Sequence, residues 1–120
     1  MRTVYAIAMH VLGNAEENVL LTLCSLPVQR SRAAEFAARA STWEPARDRW
    51  LELRARIESA LATLSSGDLD RECTHPRRGK LSGREVLLVV ARHAAEHWGE
   101  AQLTLNLLRA RPLASLERAS

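Results

Sequence analysis

This chain is predicted to fold as an all-α protein, an antiparallel bundle of long helices. Glycine and proline are few while alanine and leucine are abundant, a composition that favours helix. Apolar residues recur at three- and four-residue spacing through three long segments, each bounded by helix-start or helix-stop signals. At 120 residues the chain is expected to form one domain over residues 1–112, followed by a polar tail over 113–120.

The first helix is predicted over residues 2–24. Its apolar stripe consists of Val4, Ile7, Val11, Ala15, Val19 and Leu23. Pro27 follows closely and is expected to end the helix. The next segment, residues 28–42, is polar and rich in alanine. Ser31 is a suitable N-cap there, which predicts a short helix through Ala40.

The second long helix is predicted to begin at residues 41–44 (Ser-Thr-Trp-Glu), which fit the capping-box pattern, with Pro45 in the first turn. It is expected to run to about Leu64. Its predicted buried face consists of Trp50, Leu53, Ile57, Leu61 and Leu64. Gly67 is a natural helix stop, and the charged stretch 67–81 is predicted to be irregular.

The third long helix is predicted to begin at a second capping box, residues 82–85 (Ser-Gly-Arg-Glu), and to run to about Arg109. Pro112 is expected to stop it. Three long helices with short links leave a groove that a fourth helix fills in an ordinary four-helix bundle. Either the short 31–40 segment or a second copy of the chain is expected to cover that groove.

The charge pattern gives no sign of a nucleic-acid partner. The chain is mildly basic, with 17 Lys and Arg against 14 Asp and Glu. Five of the cations lie in or just after the charged connection of residues 67–81, called the third connection below: Arg71, Arg77, Arg78, Lys80 and Arg84. This cluster fits either a phosphate or acidic ligand or, as we favour, a solvated loop. Because no nucleic-acid-binding motif accompanies it, no nucleic-acid partner is expected.

The sequence contains no apolar run of membrane-spanning length and no secretory signal pattern, so no membrane partner is expected. The two cysteines, Cys24 and Cys73, are far apart and form no metal- or redox-type pair motif. We interpret them as reduced thiols of a cytoplasmic protein.

The feature richest in chemistry is a histidine pair in the third helix. His93 and His97 stand four residues apart, so they share one face and can converge on a metal ion. A carboxylate or a backbone carbonyl is the alternative partner for buried imidazoles. The chain has two further histidines, His10 in the first helix and His75 in the third connection. An antiparallel bundle would bring His10 level with the pair, whereas His75 is the nearer in sequence.

The order of these motifs resembles the DinB-like family, also called damage-inducible or YfiT-like proteins. Residues 10–16 (His-Val-Leu-Gly-Asn-Ala-Glu) resemble the family's stretch around its first histidine, and residues 93–100 (His-Ala-Ala-Glu-His-Trp-Gly-Glu) resemble its HxxxHxGQ motif. The resemblance covers roughly residues 3 to 110. It implies a four-helix bundle, here with a shortened or missing first helix, and a divalent metal held by His10, His93 and His97.

The resemblance also implies a function. Relatives bind zinc or nickel, and some are transferases or isomerases that use a low-molecular-weight thiol. A metal-dependent enzyme acting on a small molecule, of thiol S-transferase or hydrolase type, is therefore expected. Glu100 replaces the family's usual glutamine and is the predicted catalytic residue, as a fourth ligand, an acceptor behind a ligand or a general base.

Two alternatives differ in class from the enzyme. One is a metal-binding or stress-response protein without catalysis, in which the ion mainly stabilises the bundle. The other is a helical interaction module whose histidines are structural. Because the family's first helix is not found in this sequence, we also expect a homodimer, in which the faces of helices 2–24 and 82–109 left open by the 31–40 segment pair about a two-fold axis.

Overall fold

The protein is a helical bundle, as the sequence predicts. A computed structural model describes residues 2–119, with side chains described for residues 2–110. The helices are α1 (Val4–Ala15), which continues as a π-helical segment (Glu16–Leu23), α2 (Arg32–Ala37), α3 (Glu44–Leu61), α4 (Ser66–Asp70) and α5 (Gly83–Ala119). Among the described residues no helix is both long and apolar enough to cross a membrane.

The segment predicted as one helix over residues 2–24 changes helix type halfway. It is α-helical to Ala15 and π-helical from Glu16 to Leu23. The amide side chain of Asn18 donates to the backbone carbonyl of Asn14 at 2.9 Å, close to the junction. Wider i→i+5 pairing frees a backbone carbonyl at such a junction, so a side-chain donor there replaces the lost partner.

The connection over residues 67–81 was predicted to be irregular, and this prediction is wrong. It contains α4 and a two-stranded antiparallel hairpin, β1 (Glu72–His75) and β2 (Gly79–Ser82). His75 closes the hairpin turn because its Nδ1 accepts hydrogen bonds from the backbone N–H groups of Arg77 and Arg78, both at 3.1 Å. Gly79 has φ of +76°, a conformation that glycine adopts without strain.

Several predicted helix ends differ from the structure. α2 ends at Ala37 instead of Ala40, α3 ends at Leu61 instead of about Leu64, and Gly67 lies inside α4 instead of stopping a helix. α3 begins at Glu44 with Trp43 as N-cap and no side-chain cap, so the predicted capping box at residues 41–44 does not form. Helix α5 continues through Pro112 to Ala119 instead of ending near Arg109. Proline removes one helical hydrogen bond, but residues 113–119 are mainly strong helix formers, which favour continuation. The side chains of the predicted tail 113–120 lie outside the described residues.

Other local predictions are confirmed. Ser31 caps α2 by accepting from the backbone N–H of Ala34 at 3.1 Å. The capping box at Ser82 and Glu85 forms in both directions, each bond at 3.2 Å. Helices α1 and α5 run antiparallel, since Leu23 packs against Val86 near one end of the bundle and His10 meets α5 farther along.

The core lies along the π-helical segment and is only partly enclosed. One cluster joins Val19 and Leu20 to Leu53 and Ala60 of α3, and a second joins Leu23 to the hairpin and the start of α5. α2 packs against α1, and the groove between α3 and α5 stays open. Trp50 of the predicted α3 core face borders this groove and is exposed, and Leu61 of the same face is exposed at the end of α3.

Candidate metal centre

Three histidines meet inside the bundle: His10 of α1 and His93 and His97 of α5. One ring nitrogen from each lies within 4.8 Å of the other two. The Nε2 atoms of His10 and His93 are 3.0 Å apart, and the three ring-centroid distances are 4.3, 4.7 and 4.8 Å. The predicted convergence is thus present in the structure, whereas the ligand role of the three residues stays a prediction.

A carboxylate fixes the ring of His10. Its Nδ1 lies 3.0 Å from Glu35 Oε1 on α2, and both side chains are about nine-tenths buried. Because an ionised carboxylate only accepts, His10 Nδ1–H is the donor, and Nε2 keeps its lone pair facing His93. The ring of Phe36 packs on the other side, with centroids 4.7 Å apart. The short helix α2 therefore acts as a cover over His10.

Glu100 holds the second α5 histidine in the same way. His97 Nδ1 lies 2.7 Å from Glu100 Oε1, so Nδ1–H donates and Nε2 is free. Glu100 is more exposed than Glu35, and Arg2 approaches the same oxygen at 3.8 Å. This geometry places Glu100 behind His97, as an acceptor that orients the ring. The catalytic role of Glu100 stays a prediction.

A buried arginine binds Glu35 beside His10, with its Nη2 3.4 Å from His10 Nδ1. Arg30 donates through Nε and Nη2 to both oxygens of Glu35, at 2.8 and 3.0 Å, and through Nη1 to Glu17 at 2.7 Å. Gly13 makes room for this pair, since a Cβ atom there would overlap the Glu35 carboxylate. A side chain at position 13 would displace Glu35 and with it the acceptor that orients His10.

Glu17 extends the charge network to the hairpin. Arg77, in the turn between β1 and β2, donates to both oxygens of Glu17. The hydrogen bond from Arg77, followed by that from Arg30, lowers the pKa of Glu17 to about 2 despite its burial. A continuous chain of hydrogen-bonded side chains, His10–Glu35–Arg30–Glu17–Arg77, therefore links the histidine cluster to the surface turn.

This lowered pKa predicts acid sensitivity. A carboxyl whose pKa falls from 4.5 unfolded to about 2 folded stabilises the native state above pH 4.5, and the benefit is lost as pH falls towards 2. Urea unfolding at pH 7, 4.5, 3.5 and 2.5 should show this decline in the free energy of unfolding. The Glu17→Gln variant, whose side chain does not titrate, should show a shallower decline over the same range. An identical slope in both proteins would contradict the assignment.

The two adjacent acidic residues of the π-helical segment bind arginines from different parts of the chain. Glu17 faces Arg30 and Arg77, while Glu16 receives Arg49 and Arg56 of α3 at 2.7 and 2.8 Å. Both glutamates are buried, with 6 % of their surface exposed. Buried carboxylates require such cationic partners, so these contacts fix where α3 and the hairpin sit relative to α1.

The donor set fits a divalent metal. Four-coordinate zinc with Zn–N distances of about 2.0–2.1 Å separates its nitrogen ligands by about 3.4 Å, within reach of the observed spacing after small ring rotations. Burial lowers the pKa of His10 and lowers that of His93 to about 4. Both imidazoles are therefore neutral at neutral pH, the form that binds metal. Carboxylates behind two of the rings complete the usual pattern for metal-binding histidines.

The sequence analysis did not identify several of the side chains that bind or support the histidine cluster. Nothing local predicts that Glu35 and Arg30, from the polar 28–42 segment, lie against His10. The acidic pair 16–17 inside an apolar helix was a usable signal, because buried acids need cationic partners. Asn14 makes no described contact with His10, and its Oδ1 is buried without a protein partner. His75, the alternative third histidine, serves the hairpin turn and lies outside the cluster.

The basic cluster of the third connection is largely paired. Arg71 donates to the backbone carbonyl of Leu23 at 2.7 Å, and Arg77 binds Glu17. Arg84 pairs with Asp70 at 2.9 Å, and Lys80 lies 3.4 Å from Glu72. These cations pair with other groups of the chain and help to hold the hairpin in place.

Comparison with known proteins gives one match. The family model described as the DinB superfamily matches residues 2–101, which include all three clustered histidines and Glu100. No curated protein and no solved structure matches the chain.

Proposed function

This chain belongs to the DinB superfamily, and we propose that it is a metal-dependent enzyme that acts on a small molecule. The observation that carries the proposal is the cluster of His10, His93 and His97, whose ring nitrogens lie within 4.8 Å of one another. In this proposal the three imidazoles hold one divalent ion. Three protein ligands leave a coordination position open, as catalytic zinc sites do.

Zinc and nickel are the proposed metals, because the resemblance to the DinB-like family implies them and imidazole ligands suit both ions. A divalent ion bound there supplies Lewis acidity, which lowers the pKa of a water or thiol at the open position. Glu35 and Glu100 orient His10 and His97 from behind and raise their basicity as ligands. Glu100, whose side chain is 37 % exposed, is also the proposed general base.

A thiol-dependent transferase is the favoured reaction type, with a low-molecular-weight thiol as cosubstrate, and a hydrolase is the other. The two types make different demands on the same site: a thiol nucleophile in the first, water in the second. Both cysteines of the chain are free, which supports a reducing compartment such as the cytoplasm, where such thiols are abundant.

Elemental analysis of the purified full chain is the direct test. Zinc or nickel at about one equivalent, removed by chelator and restored by titration, is the expected result. Turnover that requires the metal and a small thiol identifies the transferase, and turnover that requires the metal alone identifies the hydrolase. A protein that takes up no divalent metal in a calorimetric titration would overturn the proposal.

Replacement of Glu100 by glutamine is expected to lower zinc affinity about 10-fold, because a neutral amide is a weaker acceptor for His97 Nδ1–H than a carboxylate. The unfolding free energy of the metal-free protein should change little, since Glu100 is partly exposed. Competition with a zinc chelator measures the first quantity and urea unfolding the second. Equal metal affinity and equal turnover in the variant would count against any role of Glu100 at the site.

Metal binding without catalysis is a second candidate, favoured by one observation. The histidine cluster ties α1 to α5 across an open bundle, so a bound ion would also stabilise the fold. Thermal unfolding with and without zinc measures this contribution. A large stabilisation together with no turnover of thiols or esters would support this candidate over the enzyme.

We propose in addition that the chain forms a homodimer through α5. Leu103 and Leu107 stand four residues apart on one face of this helix and are 60 and 45 % exposed. Leu105 and Leu108 nearby are exposed as well. Exposed apolar surface of this density commonly marks an interface, and a self-complementary two-fold contact is the commonest form.

Light scattering at micromolar concentration is expected to give twice the 13.4 kDa chain mass. The double variant Leu103→Glu with Leu107→Glu should return a monomer, because the charges would be buried at the contact. Leu51→Glu, an equally exposed leucine on α3, is the matched control and should leave the mass unchanged. A stable wild-type monomer would remove the dimer from the proposal.

A further inference from the structure

An apolar cavity lies beside the histidine cluster, in the groove between α3 and α5 with α1 as its floor. Its volume is about 520 Å³. α1 contributes Ile7 and Val11, and α5 contributes Ala94 and Ala101, among other apolar side chains. Within the described residues His97 is the one member of the cluster that lines this cavity. The cavity therefore borders the proposed metal centre at His97.

Three indole rings border the same cavity. Trp43 and Trp50 come from α3 and Trp98 from α5, and they are 54, 45 and 66 % exposed. Trp43 is held in place by the ring of Tyr5, with centroids 5.9 Å apart. Indoles bury large planar surfaces when they pack, so leaving three of them half-exposed around one cavity suits a planar apolar ligand.

One cation stands at the rim of the cavity. Among the described side chains that line it, Arg47 is the only arginine or lysine, and its side chain is largely exposed. Its one described ion pair, to Asp48 at 3.4 Å, joins two largely exposed side chains and is therefore weak. An anionic group on a ligand could take this guanidinium without breaking a buried contact. The cavity thus has an almost wholly apolar lining, with a cation at its exposed rim and the ring of His97 among its lining residues.

The size of the cavity suits a small molecule. Pockets for small ligands measure about 300–1,000 Å³, which includes this cavity of about 520 Å³. Occupation of the groove by a second copy of the chain is an outcome of the test below.

We propose that this cavity binds the aromatic or alkyl body of an amphipathic small-molecule acid, with its anionic group at Arg47 and its far end at His97. The identification of this ligand as the substrate rests on the proposed metal-dependent function. The binding itself needs only the cavity. The substrate class is then a hydrophobic carboxylic acid or a similar anion.

Calorimetric titration with 2-naphthoate, and with uncharged 2-naphthol, tests the proposal on the full chain in metal-free and zinc-loaded forms. Micromolar binding of 2-naphthoate in both forms is expected. Trp98→Ala should weaken it at least 10-fold by removing an indole, and Ala101→Phe should do the same by filling the cavity. Leu51→Ala, an exposed apolar change on α3 outside the cavity, should leave it within twofold.

The charged end has its own test. Arg47→Gln should weaken 2-naphthoate about 10-fold and leave 2-naphthol unchanged, because only the acid uses the guanidinium. Equal loss for both probes, or no loss for either, would overturn the orientation proposed here. Circular dichroism verifies that each variant keeps its helix content.

The two proposals fail separately. Zinc uptake without 2-naphthoate binding would overturn the cavity and leave the metal centre standing. Binding of 2-naphthoate by a chain that takes up no metal would overturn the metal centre and leave the cavity without its role as a substrate site. Loss of 2-naphthoate binding in step with dimer formation would also overturn the proposal, since a second copy would then occupy the groove.

Discussion

Replacement of His93 by alanine is expected to raise the Kd for zinc at least about 100-fold. This change removes one of the three proposed ligands, and loss of a partner merely behind a ligand already costs about 10- to 100-fold in metal affinity. His93 is the central case because its Nε2 lies 3.0 Å from that of His10 and its ring centroid 4.3 Å from that of His97. Titration of the metal-free variant with zinc against a competing chelator measures the effect.

The chain carries its own control for this experiment. His75 is the one histidine outside the cluster, and it is buried in the hairpin turn with Nδ1 accepting two backbone hydrogen bonds. His75→Ala should therefore lower stability while zinc affinity stays within about threefold of wild type. Undiminished zinc binding in His93→Ala, or an equal loss in both variants, would contradict the assignment of His10, His93 and His97.

Replacement of Arg30 by alanine is expected to destabilise the fold by about 3–5 kcal/mol. The guanidinium is 5 % exposed and pairs with Glu17 and Glu35, whose side chains are 8 and 10 % exposed. Removing the shared cation leaves two buried carboxylates without their main partner, and breaking a buried pair costs energy of this order. For a domain with about 5–15 kcal/mol of net stability the loss is severe, and urea unfolding measures it.

An exposed arginine provides the comparison. Arg54 pairs with Glu58 at 2.9 Å on the surface of α3, with both side chains more than half exposed. Arg54→Ala should cost no more than about 0.5 kcal/mol, because exposed pairs of this spacing contribute little. A cost below about 1 kcal/mol for Arg30→Ala would mean that the buried network is not what holds α2 and the hairpin against α1. The same variant should also weaken zinc binding, since Glu35 would no longer be held behind His10.

The sequence predicted the helical class and the members of the histidine cluster for definite reasons. Apolar spacing of three and four residues identifies long helices regardless of how they pack. The i,i+4 separation of His93 and His97 fixes their shared face within one helix. The prediction of His10 as the third member could not rest on spacing within one helix. It rested on the expected antiparallel bundle and on the resemblance to a family with one histidine on an earlier helix, which favoured His10 over His75.

The sequence was less informative where non-local contacts decide the structure. The hairpin over residues 72–82 depends on pairing between its strands and on the bond from Arg77 to Glu17, which joins residues 60 apart. The π-helical geometry of 16–23 and the exposure of Trp50 likewise follow from what α1 and α3 pack against. Local propensity is weak compared with such contacts. The sequence analysis therefore predicted α-helix for the π-helical residues 16–23 and predicted a buried position for Trp50, which is exposed.

By itself the sequence determined the three long helical segments, the face shared by His93 and His97, and Ser31 and Ser82 as helix caps, because these depend on residues within one or two turns of one another. Only the tertiary structure decided which side chains bind the outer ring nitrogen of His10 and support that contact. Glu35 reaches His10 across 25 residues, and Arg30 joins Glu35 to Glu17. Ion pairs at such separations leave no periodic trace in the chain, since their geometry is set by packing and burial rather than by spacing.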